Sequence, residues 1–253
     1  MVNNKVCIVT GAAVGVGLGA SEVLAEDGAK VIMTDIAEEK LMAEAKRLDS
    51  DCYKADLTDR RACKALVDYV MGKYSRVDIL VNVASIQTIS PIDEFPEDKW
   101  DYMISLMLTA PFLLTRYVWP SMKNNNWGRI VHHNSIHGLV ASEFRAAYVS
   151  AKHGLSGLTK VSALEGGKYG ITVNSICSSY VRTPMFENQI ADLARINSIS
   201  EEEVIEKIVL QKAAIKRLHE PKEIGEIIKF FCSDAAIGIT GTTFTVDCGW
   251  TAG

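Results

Sequence analysis

Short apolar runs recur along this chain, and longer segments with helical spacing separate them. The runs are Val6–Val9, Val31–Met33, Ile79–Val81, Ile130–Val131, Ile171–Val173 and Phe244–Val246, with a weaker one at Cys52–Ala55. Most do not alternate apolar with polar, which is the pattern of strands buried on both faces. Ala20, Val23 and Leu24 share one helix face, as do Leu66, Val67 and Val70, with Thr58 as the N-cap of the second segment. Strands alternating with helices predict βαβ units. The expected architecture is α/β: a doubly wound parallel sheet of about seven strands, with helices on both faces. The rhythm breaks between Thr183 and Leu218, where Ser200 followed by Glu201-Glu202-Glu203 marks a capped helix start. A helical lid at about 184–218 is therefore expected. No linker, repeat or low-complexity tract interrupts the sequence, so 1–253 is expected to form one domain.

A chain of 253 residues can bury about 70–75% of its surface, so it needs no disulfide or structural metal. The net charge of −4, with no basic block, argues against nucleic acid as a partner. The longest run without a charged residue, Val6–Ser21, holds four glycines and is too short and broken to span a membrane. Six scattered cysteines without a CxxC fit a reduced compartment. A cytoplasmic protein is expected. His132, His133 and His137 lack a Cys or Asp ligand spaced with them, so no metal site is expected.

The first strand leads into Thr10-Gly11-Ala-Ala-Val-Gly15-Val16-Gly17-Leu-Gly19. Glycines there permit a tight turn and close backbone approach to a pyrophosphate, which then meets the positive end of a helix. The placement after a strand and before a helix is the confirming context. Asp35 ends the second strand, where a carboxylate can accept both ribose hydroxyls of an adenosine and repel a 2′-phosphate. No Arg or Lys flanks it, which favours NAD over NADP; the plainer role is a helix cap. Asp56, with Leu57, ends the third strand, facing the adenine or capping a helix.

Ser135 follows the fifth strand, and Tyr148 and Lys152 lie i,i+4 further on, on one helix face. A phenol is a poor base at neutral pH. A nearby ammonium favours the phenolate and makes the tyrosine a usable acid/base. Ser135 can then hydrogen-bond the substrate oxygen.

These motifs resemble those of the short-chain dehydrogenase/reductase family over the entire length. The residues carrying the resemblance are Thr10-Gly11…Gly15-Val16-Gly17, Asn82, Ser135, Tyr148 and Lys152. The resemblance implies a Rossmann-type sheet of seven parallel strands, hydride transfer with a nicotinamide, and in most cases a homotetramer. It also implies a cofactor wall that includes Ala84, Val181 and Thr183. A narrower similarity, to bacterial D-3-hydroxybutyrate dehydrogenases, rests on several further segments. They are Ile86-Gln87, Asp93-Glu94-Phe95-Pro96, Ser135-Ile-His137-Gly138-Leu-Val-Ala-Ser142, Val181-Arg182-Thr183-Pro184 and Val246-Asp247-Cys248-Gly249-Trp250. It implies a small hydroxy or keto acid as substrate, its carboxylate held by Gln87, His137, Arg145 and Gln189, with Trp250 packing on the pocket. Arg145, one turn before Tyr148, would be the bidentate binder. Plainer roles stay open: loop polarity for the two glutamines, a turn for His137, a surface ion pair for Arg145, and terminal packing for Trp250.

Four places depart from the family pattern. Asn82-Val83-Ala84-Ser85 stands for Asn-Asn-Ala-Gly, and Met107 for the helical Asn that anchors a relay water. Ser178-Ser179 stands for Pro-Gly, and Asp247-Cys248-Gly249 for Asp-Gly-Gly. A thioether is only a weak acceptor. Two other readings follow: a carbonyl reductase for other ketones, cyclic alcohols or steroids, if the four carboxylate-binding candidates do not converge; and a dinucleotide-binding sensor or scaffold with little catalysis.

Overall fold

The computed structural model describes residues 2–253. Seven parallel strands form one sheet in the order β3-β2-β1-β4-β5-β6-β7. They are β1 Val6–Thr10, β2 Lys30–Asp35, β3 Asp51–Lys54, β4 Ile79–Asn82, β5 Gly128–Ser135, β6 Ile171–Ser178 and β7 Thr243–Val246. Successive strand residues point to opposite faces, and both faces are buried. Ile8, Ile32, Leu80 and Ile130 face one core. That core is closed by α3 (Arg60–Tyr74), α4 (Glu97–Ile104), α5 (Ala110–Asn124) and α6 (Ala146–Gly166). Cys7, Val9, Met33, Val81 and Val131 face the other, beneath α1 (Gly15–Glu26), α2 (Glu38–Arg47) and α10 (Pro221–Cys232). The doubly wound parallel sheet with helices on both faces is thus observed, and its order reverses between β1 and β4. At such a switch point the carboxyl ends of the strands diverge and leave a crevice.

Two local expectations change. The N-cap of α3 is Asp59, whose carboxylate accepts the Arg61 N–H. Thr58 instead donates its hydroxyl to Asp56 Oδ1 at 2.7 Å. Strand β5 runs from Gly128 to Ser135, well beyond its apolar pair, because His132, His133 and Asn134 continue the ladder with side-chain partners of their own.

The insertion carries three short helices, α7 (Pro184–Glu187), α8 (Ile190–Asn197) and α9 (Glu201–Val204), and a π-turn at Ile205–Val209. The Ser200–Glu203 capping box forms as expected. Phe186, Leu193, Val204, Val209 and Leu218 give this segment a small core of its own. No helix among the described residues is long and apolar enough to cross a membrane.

Gly17 is where strand and helix come closest: a Cβ there would overlap the Gly11 carbonyl. That neighbour is backbone and cannot rotate away. Gly17→Ala is expected to cost about 1–3 kcal/mol by overpacking, read as a lowered thermal midpoint with a parallel loss of dinucleotide affinity.

Candidate active site

At the carboxyl edge of the sheet lies a cavity of about 290 Å³. One end is walled by Gly11, Gly15, Val16, Gly17, Asp35, Asp56, Leu57, Ala84, Val181 and Thr183. Helix α1 begins there with no side-chain cap and no acidic residue in its first turn. Its first N–H groups are therefore free for an anion. Gly15 holds φ +57°, and a Cβ on it would press on Thr183. Asp35 is fixed by two backbone donors, Ala13 N–H at 3.2 Å and Ala37 N–H at 3.0 Å. Asp56 accepts the Thr58 N–H at 3.0 Å.

Two residues expected on this wall stand behind it. Thr10 Oγ1 accepts the N–H groups of Val83 at 2.8 Å and Ala84 at 3.1 Å, tying the end of β4 to β1. Asn82 is buried against His132, Nδ2 to Nδ1 at 3.1 Å. Their short side chains reach backbone and a neighbouring strand before they reach the cavity.

The other end gathers Ser135, from the end of β5, and Tyr148, from the first turn of α6. Burial raises the Tyr148 pKa above the usual phenol value, and a hydrogen bond with Ser135 and the Arg145 guanidinium offset part of the rise. Lys152 does not line the cavity. Its ammonium lies behind the wall, donating to the His133 carbonyl at 2.8 Å, and 5.5 Å from the Tyr148 ring centre. Burial brings its pKa down to about 8. Arg145 faces the same cavity as the phenol and lowers its pKa.

Gln87, His137, Arg145 and Gln189 line the same cavity as Tyr148. Arg145 is the N-cap of α6 rather than a residue within its first turn. It is buried, so the surface ion pair is excluded, and among the described residues it pairs with no carboxylate. Its Nη1 donates to Gln189 Oε1 at 2.9 Å, and Gln189 Nε2 donates to the Met185 carbonyl at 2.8 Å. Gln87 Oε1 accepts the Thr88 N–H. His137 joins Ser142 Oγ at 2.8 Å and lies 3.4 Å from Ser135 Oγ. Trp250 does not reach the cavity. It packs behind His137, ring centres 6.4 Å apart, in a cluster with Ile136 and Ala213.

The sequence left several wall residues unassigned: Ile86, Leu106, His133, Ser142, Tyr180, Met185 and Phe186. Six of them line the cavity, and Ser142 reaches it through His137. The apolar ones carry no signal that separates wall from core. His133 pairs with Ser178, Nε2 to Oγ at 3.0 Å, so a histidine and a serine in an apolar strand context were the available clue. Met107 is buried within a π-turn, Ser105–Thr109, that joins α4 to α5. Ser85 Oγ meets the Met185 sulfur at 3.8 Å.

Burial brings His132, His133 and His137 each down to about 3. An unfolded histidine titrates near 6.5, so between those values the unfolded chain binds more protons. The stability these residues contribute is complete above pH 6.5 and is lost as pH falls. Protons should therefore be taken up on unfolding, and stability should rise with pH across this window. Denaturant titrations from pH 7 to pH 4 measure it, with the triple His→Gln variant expected to flatten the slope.

The chain matches the family profile described as "Enoyl-(Acyl carrier protein) reductase" over residues 11–251. It is 40% identical over 253 residues to the uncharacterized oxidoreductase YxjF of Bacillus subtilis, covering 98% of each chain. It is 37% identical to the D-beta-hydroxybutyrate dehydrogenase of Cupriavidus necator over 100% of both. Among solved structures, actinorhodin polyketide ketoreductase with NADPH superposes with a TM-score of 0.94 at 30% identity, over 98% of this chain and 97% of that one.

Proposed function

The chain belongs to the short-chain dehydrogenase/reductase family, and from that premise we propose that it interconverts a short 3-hydroxy acid and its 3-keto acid, with D-3-hydroxybutyrate and acetoacetate as the pair, using NAD. The observation carrying this reading is Arg145. A buried guanidinium with no carboxylate of its own, beside the phenol, suits an anionic substrate.

The residues present fit a dinucleotide. The free N-terminus of α1 and the Gly11–Gly17 turn would hold the pyrophosphate, and Asp35 the adenosine ribose. Tyr148 and Thr183 would hold the nicotinamide half, with Lys152 standing behind Tyr148. When bound, NAD supplies the hydride acceptor. As the phenolate, Tyr148 takes the hydroxyl proton of the hydroxy acid and becomes the neutral phenol, and Ser135 donates a hydrogen bond to that oxygen. Arg145 and Gln189 hold the carboxylate, with Gln87 and the neutral His137 as further donors. The short helices at 184–209 close over the acid, tied to Arg145 through Gln189. All these elements act as one domain.

The test is NADH formation from D-3-hydroxybutyrate. Turnover of neutral alcohols or ketones with none of the acid would sink the acid assignment. Dinucleotide binding without turnover of either would leave a sensor. Asp35 carries the cofactor choice: Asp35→Ser should weaken NAD binding by roughly tenfold and improve NADP binding, since a carboxylate repels the 2′-phosphate. Calorimetry with both dinucleotides measures it.

A homotetramer fits the faces that the monomer leaves open. Val161 and Leu164 on α6 are exposed, as are Phe230 on α10 and Phe244 on the edge strand β7. Sedimentation equilibrium distinguishes a tetramer from smaller species.

A further inference from the structure

We propose that Cys248 is a modification site, a thiol that His219 activates for exchange with low-molecular-weight disulfides. The six cysteines are all free, and they are not equivalent. Cys7, Cys63, Cys177 and Cys232 are buried in the cores, and burial pushes each thiol up. Cys52 is partly exposed, and burial together with the Asp51 carboxylate raises it too. Cys248 is also partly exposed, but its sulfur faces an imidazole: Sγ lies 3.6 Å from His219 Nε2.

The imidazole is held in place. His219 is buried; its N–H donates to the Tyr180 carbonyl at 3.0 Å, and its carbonyl accepts the Arg182 N–H at 2.9 Å. Burial lowers its pKa, so the ring is a neutral acceptor at neutral pH. Glu223 Oε2 is 3.8 Å from Nδ1. That carboxylate and Asp247 favour the imidazolium, while Arg217 opposes it. Glu223 Oε2 is held by Arg217 and by the Glu220 N–H, each at 2.7 Å, so the group that can take the thiol proton is the imidazole beside the sulfur. The cysteine also occupies a left-handed backbone position, φ +55°. Its carbonyl is pinned by the N–H groups of Ala214 and Ile215 at 2.8 and 3.0 Å.

The exchange balances without a further reagent. The thiol proton passes to His219 Nε2, and the sulfur attacks one sulfur of the small disulfide. That S–S bond breaks as the mixed disulfide forms. The departing thiolate then recovers the proton from His219. The turn that would carry the adduct continues into Trp250, which packs on His137. Modification is therefore expected to reach the substrate end of the cavity.

The experiment exposes the full folded protein to oxidised glutathione and follows each cysteine by peptide mass mapping. Cys248 should be modified first, about tenfold or more faster than Cys52, and His219→Gln should remove most of that advantage. The Cys248–Cys52 comparison is made within one folded protein, so it stands even if the variant folds poorly. Equal rates at the two cysteines, or an unchanged rate in a folded His219→Gln, would overturn the proposal. Cys248→Gly, which restores the residue that suits a positive φ, is the control that should take no adduct. An increase in KM on modification of the wild type, absent in the treated control, is expected. An unchanged KM would overturn the link to the cavity.

Discussion

Tyr148→Phe should lower kcat by about a thousandfold, within the 10²–10⁴ range of a positioned acid/base, while dinucleotide affinity stays within roughly a factor of two. The substitution removes one oxygen from a buried ring and leaves the rest of the wall in place. Ser135 keeps its own bond from the His137 N–H at 3.2 Å, so the serine does not collapse into the gap. Pre-steady-state kinetics separate the two quantities: nicotinamide binding should persist and the hydride step should nearly vanish. A variant that retains most of its kcat would remove Tyr148 from the chemistry.

Arg145→Ala should lower kcat/KM for the hydroxy acid by about 10²–10³-fold, the range for losing one partner of a buried charge pair, chiefly through KM. A neutral ketone should be affected far less. The residue has a second readout. Arg145 lowers the Tyr148 pKa, so its loss should move the phenol's limb of the pH–rate profile to higher pH. Arg145→Lys should restore that limb in part and the affinity only in part, since an ammonium offers a point charge where the guanidinium offers a fork. A loss equal for acid and neutral substrates, with no displacement of the limb, would mark Arg145 as structural.

The parts of the molecule legible in the sequence are those that obey a repeating physical rule. Runs such as Val6–Val9 and Ile79–Val81 announced central strands because both faces of a parallel sheet are dry. The glycines at 11, 15 and 17 were legible because only they tolerate that turn and that close packing. What the spacing could not carry is the direction of a side chain after folding. Lys152 and Arg145 both flank Tyr148 in sequence, yet one lies behind the wall and the other on it. Trp250 was expected at the substrate and lies one layer back, against His137. Strand β5 was underestimated because His132, His133 and Asn134 look like loop residues until their partners on β4, α6 and β6 are known.

The strand order has a consequence for how the chain acquires its shape. Strand β1 pairs with the central strand β4, so Cys7 sits opposite Ile79, and the walls of the cavity come from residues as far apart as Gly11 and Gln189. Contacts of such long sequence separation are slow to form. During synthesis, the dinucleotide half can close once β4 is made, while the acid-binding half must wait for β5, α6 and the helices beyond β6. Between those moments the edge of β4 that later pairs with β5 is unpaired, and an unpaired edge is open to pairing with the wrong strand.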